Sequence, residues 1–144
     1  MPAAIVTDKR GASALEFAIV APILLLLVMG IIEFGRLMWT REALQQSAFS
    51  GARCMGVLSA NCASAGSVNT AATDSFIQSV GAGWMISIPS SAIALNPNTV
   101  CGSVAGFSQV TLTYTFSTAV PNLIRVLAPG VTLTAQACYP NQPA

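Results

Sequence analysis

Phe17-Ala18-Ile19-Val20-Ala21-Pro22-Ile23-Leu24-Leu25-Leu26-Leu27-Val28-Met29-Gly30-Ile31-Ile32 carries neither a charge nor a hydroxyl. As a helix these sixteen residues cover about 24 Å, short of the roughly 30 Å hydrocarbon layer of a bilayer. Extending the helix back to Ala12 gives about 31 Å, which fits. That extension takes in Glu16, whose least costly place is a helix N-terminus, where the dipole favours a negative charge. The segment is therefore read as a transmembrane helix over residues 12–35. An ordinary secretory signal is not expected: Glu33-Phe34-Gly35-Arg36 follows the run, with no A-x-A cleavage site.

Working outward, the chain past this helix is more polar and holds all four cysteines, Cys54, Cys62, Cys101 and Cys138. An even number on one side of a membrane segment predicts disulfides in an oxidising compartment. Three pairings are open. Cys54–Cys62, closing a short loop, and Cys101–Cys138, tying two strands, are favoured over free buried thiols. A zinc site is not expected, because no pair has CxxC spacing and histidine is absent. The charges flanking the helix are nearly balanced. The cysteines set the orientation: N-terminus cytoplasmic, C-terminal part outside.

Of the 144 residues, only 8 % are charged and the net charge is +1. That leaves no electrostatic footprint for nucleic acid. Without histidine no Ser/His/Asp or Cys/His arrangement can form, and Asp74 is the one acidic residue after Glu42. Paired carboxylates and a glycine-rich phosphate loop are missing too. The sequence predicts no enzyme, no cofactor, no metal and no small-molecule substrate.

From Phe34 onward Leu37, Leu44, Ala48, Ala52 and Met55 recur at helical spacing, away from Arg41, Glu42, Gln46 and Arg53. The helix is expected to run on through residues 36–56 as an amphipathic continuation, a rod of about 65 Å ending near Gly56. Trp39 suits the outer membrane–water boundary. Residues 57–144 are expected to form the head. Residues 59–69 read as a loop, and Val68 to Gly83 as a helix with Ala72, Phe76, Ile77 and Val80 on one side. Met85 to Asn96 reads as an edge or irregular strand, and Asn96-Pro97-Asn98 as a turn. Gln109 to Ser117 and Val131 to Tyr139 alternate as strands, with Val110, Leu112, Tyr114 and Phe116 on one face and Cys138 on a polar one. Pro121 to Ala128 reads as a short helix or covering loop, and Pro140 to Ala144 as a loose tail. The fold class is α+β: a long transmembrane and amphipathic helix, then a small head with one further helix and an antiparallel sheet.

Arg10-Gly11-Ala12-Ser13-Ala14-Leu15-Glu16-Phe17 resembles a class III (prepilin) signal. Continued through Pro22, the leucine run and Glu33-Phe34-Gly35-Arg36, the stretch is similar to the N-terminus of TadE-like pseudopilins. These are minor pilins of the tight-adherence (Tad/Flp) type IV pilus system. The resemblance implies a leader, residues 1–11, cut by a prepilin peptidase between Gly11 and Ala12. It implies that Glu16 pairs with the free amine of a neighbouring subunit, and that Glu16, Phe17 and Pro22 serve assembly, Pro22 by loosening the helix. Glu33, Arg36 and Trp39 are expected at the membrane interface or against a partner. The partners implied are other minor pilins of the TadE and TadF type, the major Flp pilin, the inner-membrane assembly platform and membrane lipid. The competing reading is an uncleaved single-pass inner-membrane protein with a periplasmic binding head.

Overall fold

The computed structural model describes residues 9–118 and 130–142. Residues 1–8 of the expected leader, the expected cover at Pro121 to Ala128 and the last two residues of the tail lie outside the described residues. The order of elements is α1 (Lys9–Gly56), β1 (Ala63–Ser64), β2 (Ser67–Val68), α2 (Thr70–Gly83), a 3-10 turn (Ser90–Ala92), β3 (Ile93–Cys101), β4 (Val104–Phe116) and β5 (Val131–Pro140). This is the α+β arrangement that the sequence predicts. The chain divides into two compact units, Met1–Arg36 and Leu37–Ala144.

In the first unit, α1 is rich in leucine and alanine, which favour helix, and holds Pro22 and three glycines within it. Every large apolar side chain from Leu15 to Phe34 is exposed, Phe17 to 74 %. Eighteen consecutive residues of this helix have a mean hydropathy of 2.7, and none of them is buried. It is the single helix among the described residues long and apolar enough to cross a membrane, as expected of a membrane anchor.

In the second unit, α1 changes surroundings. Ala43, Leu44, Ala48, Ala52 and Met55 are enclosed, while Arg41, Glu42, Gln46 and Arg53 face solvent. Leu44, Met55, Ile77, Val110 and Leu112 form the centre of the core, with Ala135 and Ala137 against them. Burying a side chain of this size stabilises the fold by roughly 1.5–3 kcal/mol. The helix comes close to its neighbours because it has glycines there. A Cβ on Gly51 would stand 2.6 Å from Ile77, and one on Gly56 would stand 2.7 Å from the Tyr139 ring.

The three-stranded sheet has the antiparallel order β3-β4-β5. Leu95, Val110 and Ala137 lie side by side across it, as do Ile93, Leu112 and Ala135. These residues make the core face. The other face is lined by Thr111, Thr113, Thr115, Thr132, Thr134 and Gln136, paired across β4 and β5.

The structure corrects four expectations. Asn96-Pro97-Asn98 is not a turn but lies within β3, where the register shifts between Asn96 and Thr99. Because β3 is an edge strand, the bulge accommodates Pro97 without losing a ladder bond. Residues 63–68 form a small hairpin whose two turn residues, Ala65 and Gly66, are left-handed at φ 52° and 76°. On α2 the buried line is Thr73, Ile77 and Gly81: of the expected Ala72, Phe76, Ile77 and Val80, Ile77 is buried and the other three are half-buried. Thr73 is buried because its hydroxyl donates to Asn69 O at 2.8 Å, and Gly81 because Ile88 fills the space beside it. The tail is held at its start: the Asn141 side chain accepts from Ser108 Oγ at 2.6 Å and donates to Pro97 O, and Gln142 N donates to Gly56 O.

Candidate functional site

Gly11 is exposed, with nothing within 4 Å of where its Cβ would be. Glu16 and Phe17 follow on the same helix, both open to the surroundings, and Pro22 comes further along it. Adjacent residues on a helix diverge by about 100°, so Glu16 and Phe17 present two different faces. One carries an acid and the other an apolar ring. Pro22 has no N–H and cannot bond the carbonyl four residues back, so one rung of the helix is missing there. At the end of the apolar run Arg36 Nη1 donates to Glu33 Oε2 at 2.8 Å, one turn apart on the helix.

Trp39 belongs to the second unit and is 51 % exposed. Its ring meets Trp84 edge-on, with centroids 5.3 Å apart, and its Nε1 donates to Trp84 O at 3.1 Å. Trp84, the second of the two tryptophans, was not singled out by the sequence. The available signal is its place directly after the Gly81-Ala82-Gly83 end of α2.

The four cysteines pair as Cys54–Cys62 and Cys101–Cys138. The first closes the turn after α1 and joins it to the 63–68 hairpin. The second joins the outer strands β3 and β5 across β4, above Gln109, whose Nε2 stands 3.8 and 3.6 Å from the two sulfurs. Strands flanking a central one normally stand about 9.5 Å apart, beyond disulfide reach. Here the Cα atoms are 6.6 Å apart, and β3 shifts register twice between Asn96 and Val100 before it reaches Cys101. From loop length alone the two bonds contribute about 2.5 and 4 kcal/mol.

Asp74 is the remaining acid of the head. Its Oδ1 is enclosed without a hydrogen-bond partner, and burial raises its carboxyl above the usual range. No group of three or more potential metal ligands occurs among the described residues.

Residues 11–53 match the family model described as TadE-like protein. No curated protein and no solved structure matches the chain. The matched span opens at Gly11, takes in Glu16, Phe17, Pro22, Glu33, Arg36 and Trp39, and stops just short of Cys54. Over residues 11–53, less than a third of its length, the chain is similar to the TadE-like family.

Proposed function

We propose that this chain is a minor pilin of the TadE type, acting in the assembly or priming of a Tad/Flp type IV pilus and so in surface attachment. The observation that carries this reading is the family match over residues 11–53, which begins at the glycine of the prepilin-like signal. The subunit sits in the bacterial inner membrane with its N-terminus cytoplasmic and its head periplasmic. Prepilin peptidase removes residues 1–11 between Gly11 and Ala12, and Glu16 becomes the fifth residue of the mature chain.

The role of each residue then follows from the cost of its surroundings. A carboxylate in lipid is costly until an opposite charge meets it. The new amine of a neighbouring subunit supplies that charge, so Glu16 aligns one helix against the next. Phe17 and the exposed leucines have lipid as their partner before assembly and other pilin helices afterwards. The rung missing at Pro22 lets the helix adjust between the two. The head takes no part in chemistry. Braced by two disulfides, it selects which subunits the helix meets: other TadE- and TadF-type pilins, the major pilin and the assembly platform.

Replacing Gly11 by tryptophan tests the reading, because the site is open and the substitution leaves the head intact. Processing and piliation are expected to stop while the uncut chain accumulates in the membrane. Unchanged piliation with the G11W chain would favour a permanently tethered single-pass protein instead.

A further inference from the structure

The two disulfides stand in different surroundings. Cys54 and Cys62 are sealed, 5 % and 0 % exposed. Cys101 and Cys138 are half-buried. Cys138 follows the buried Ala137 on β5 and lies on the face turned away from the core, opposite Gln109 of β4.

The strand register shows what the second bond holds. Gln109 pairs with Cys138 on one side and with Asn96 on the other. Cys101 comes five residues after Asn96 on β3 and pairs with Val104 at the end of the hairpin. In a flat sheet it would stand about 17 Å along the strands and about 9.5 Å across them from Cys138, about 19 Å in all. The Cα atoms are 6.6 Å apart. The hairpin end, residues 99–106, is therefore turned back over the sheet. Pairing lapses at its base: Pro97 and Asn98 on β3 and Gly106 on β4, the last at φ 86°, have no partner in the register. Asn141 ties that base, donating from its backbone N to Gly106 O and from Nδ2 to Pro97 O. Beyond those ties, and among the described residues, residues 99–105 have one hydrogen bond outside their own ladder, from Gln109 Nε2 to Cys101 Sγ. The core cluster takes no described side chain from residues 96–109.

We infer that Cys101–Cys138 is a reducible latch, a site of attack for a dithiol, whose cleavage frees residues 99–106 from the sheet while the rest of the head stays folded. A thiolate of the incoming dithiol attacks one sulfur, the S–S bond breaks, and the electron pair leaves on the other sulfur, which takes a proton from water. The second thiol of the reductant loses its proton and displaces the first cysteine as a thiolate, which is protonated in turn. Two electrons pass to the protein, and the reductant leaves as its own disulfide. Gln109 stands where the leaving charge appears. Asn96 Nδ2 donates to its Oε1, which turns the amide so that Nε2 faces both sulfurs, at 3.8 and 3.6 Å. Whichever sulfur departs as thiolate meets an N–H donor, and a better-stabilised leaving thiolate departs faster. Cys54–Cys62 has no such access, because a buried disulfide is shielded from attack. Once released, the hairpin end carries the exposed Val100 and Val104 away from the sheet. The latch lies within residues 37–144 and does not rest on the pilin reading.

The test uses the full chain in detergent, treated with dithiothreitol at neutral pH, alkylated at intervals and mapped by mass. Cys101 and Cys138 are expected to label at least about tenfold faster than Cys54 and Cys62, following their exposure. Hydrogen exchange on the partly reduced chain is expected to rise over residues 99–106, since a two-stranded ribbon off its sheet is marginal. Exchange over Leu44 to Met55 and Val110 to Tyr114 is expected to stay as in the oxidised protein. Q109L, on the face away from the core, is expected to slow reduction of Cys101–Cys138 about fivefold. Equal labelling of the four cysteines overturns the inference. So does selective reduction that leaves exchange at 99–106 unchanged, or that raises it equally throughout the head. A folded Q109L chain reduced as fast as wild type overturns the part given to Gln109; should Q109L not fold, the wild-type labelling and exchange decide the latch.

Discussion

Residues 15–34 and 40–56 of α1 are made from much the same helix-forming side chains, yet their surfaces are opposites. In the first stretch the leucines, isoleucines and valines are exposed around the whole helix; in the second, Leu44, Ala48, Ala52 and Met55 are enclosed on one side and charges cover the other. Helix propensity is therefore common to both and distinguishes neither. What differs is the partner each surface requires. The second stretch is satisfied by the chain's own sheet and α2. The apolar side chains of the first are left uncovered by the described residues of the chain, a surface suited to lipid or to other subunits. The assembly function proposed for this chain uses that surface.

The contrast can be broken most forcefully at its leucines. Leu44→Ala is expected to destabilise the head by about 2–5 kcal/mol, the range for emptying a fully packed leucine site. Leu26→Ala is expected to leave head stability unchanged. Denaturant unfolding of the full chain in detergent, followed by tryptophan fluorescence, separates the two. Equal losses would mean that the stretches do not differ as described.

Glycines on the same helix sharpen the comparison at a smaller scale. Gly51→Val drives a side chain into Ile77 and Val110 and is expected to cost about 1–3 kcal/mol, as overpacking does. Gly35→Val meets nothing within 4 Å, and the same unfolding curves should not move. A G51V head as stable as wild type would show that α1 does not approach α2 and the sheet this closely.

The smallest effect is expected at Asp74. Burial raises its folded pKa, so the fold disfavours the charged form. The penalty is absent below the ordinary carboxylate pKa, grows as pH rises through the raised value, and is complete above it. Head stability should therefore decline slightly over that window in the wild type, while Asp74→Asn removes the decline and gains a little stability at neutral pH. Parallel pH profiles for the two proteins would rule this out.

Patterns of a single period were readable without coordinates. The uncharged run, the Leu44-Ala48-Ala52-Met55 stripe and the alternation through Val110, Leu112 and Tyr114 each follow one repeat, and each element formed where its repeat lies. Features set by tertiary fit were not readable. Pro97 is tolerated in β3 only because that strand is at the edge and bulged. Thr73 and Gly81 displace larger apolar residues from the buried side of α2 because close packing there takes a small residue and a satisfied hydroxyl. The clasp between Trp39 and Trp84 joins residues 45 apart in the chain, and no local pattern pairs them. In the N-terminal stretch the resemblance supplied roles that periodicity alone does not: an apolar helix shows that a partner is needed, not which bond a peptidase cuts.

The most direct test of the central claim is the intact mass of the subunit recovered from native membranes and from sheared fibres. The account predicts a chain beginning at Ala12 in the fibre, lighter than the 14.8 kDa precursor by residues 1–11. A fibre whose subunits still carry Met1 to Gly11 would contradict it.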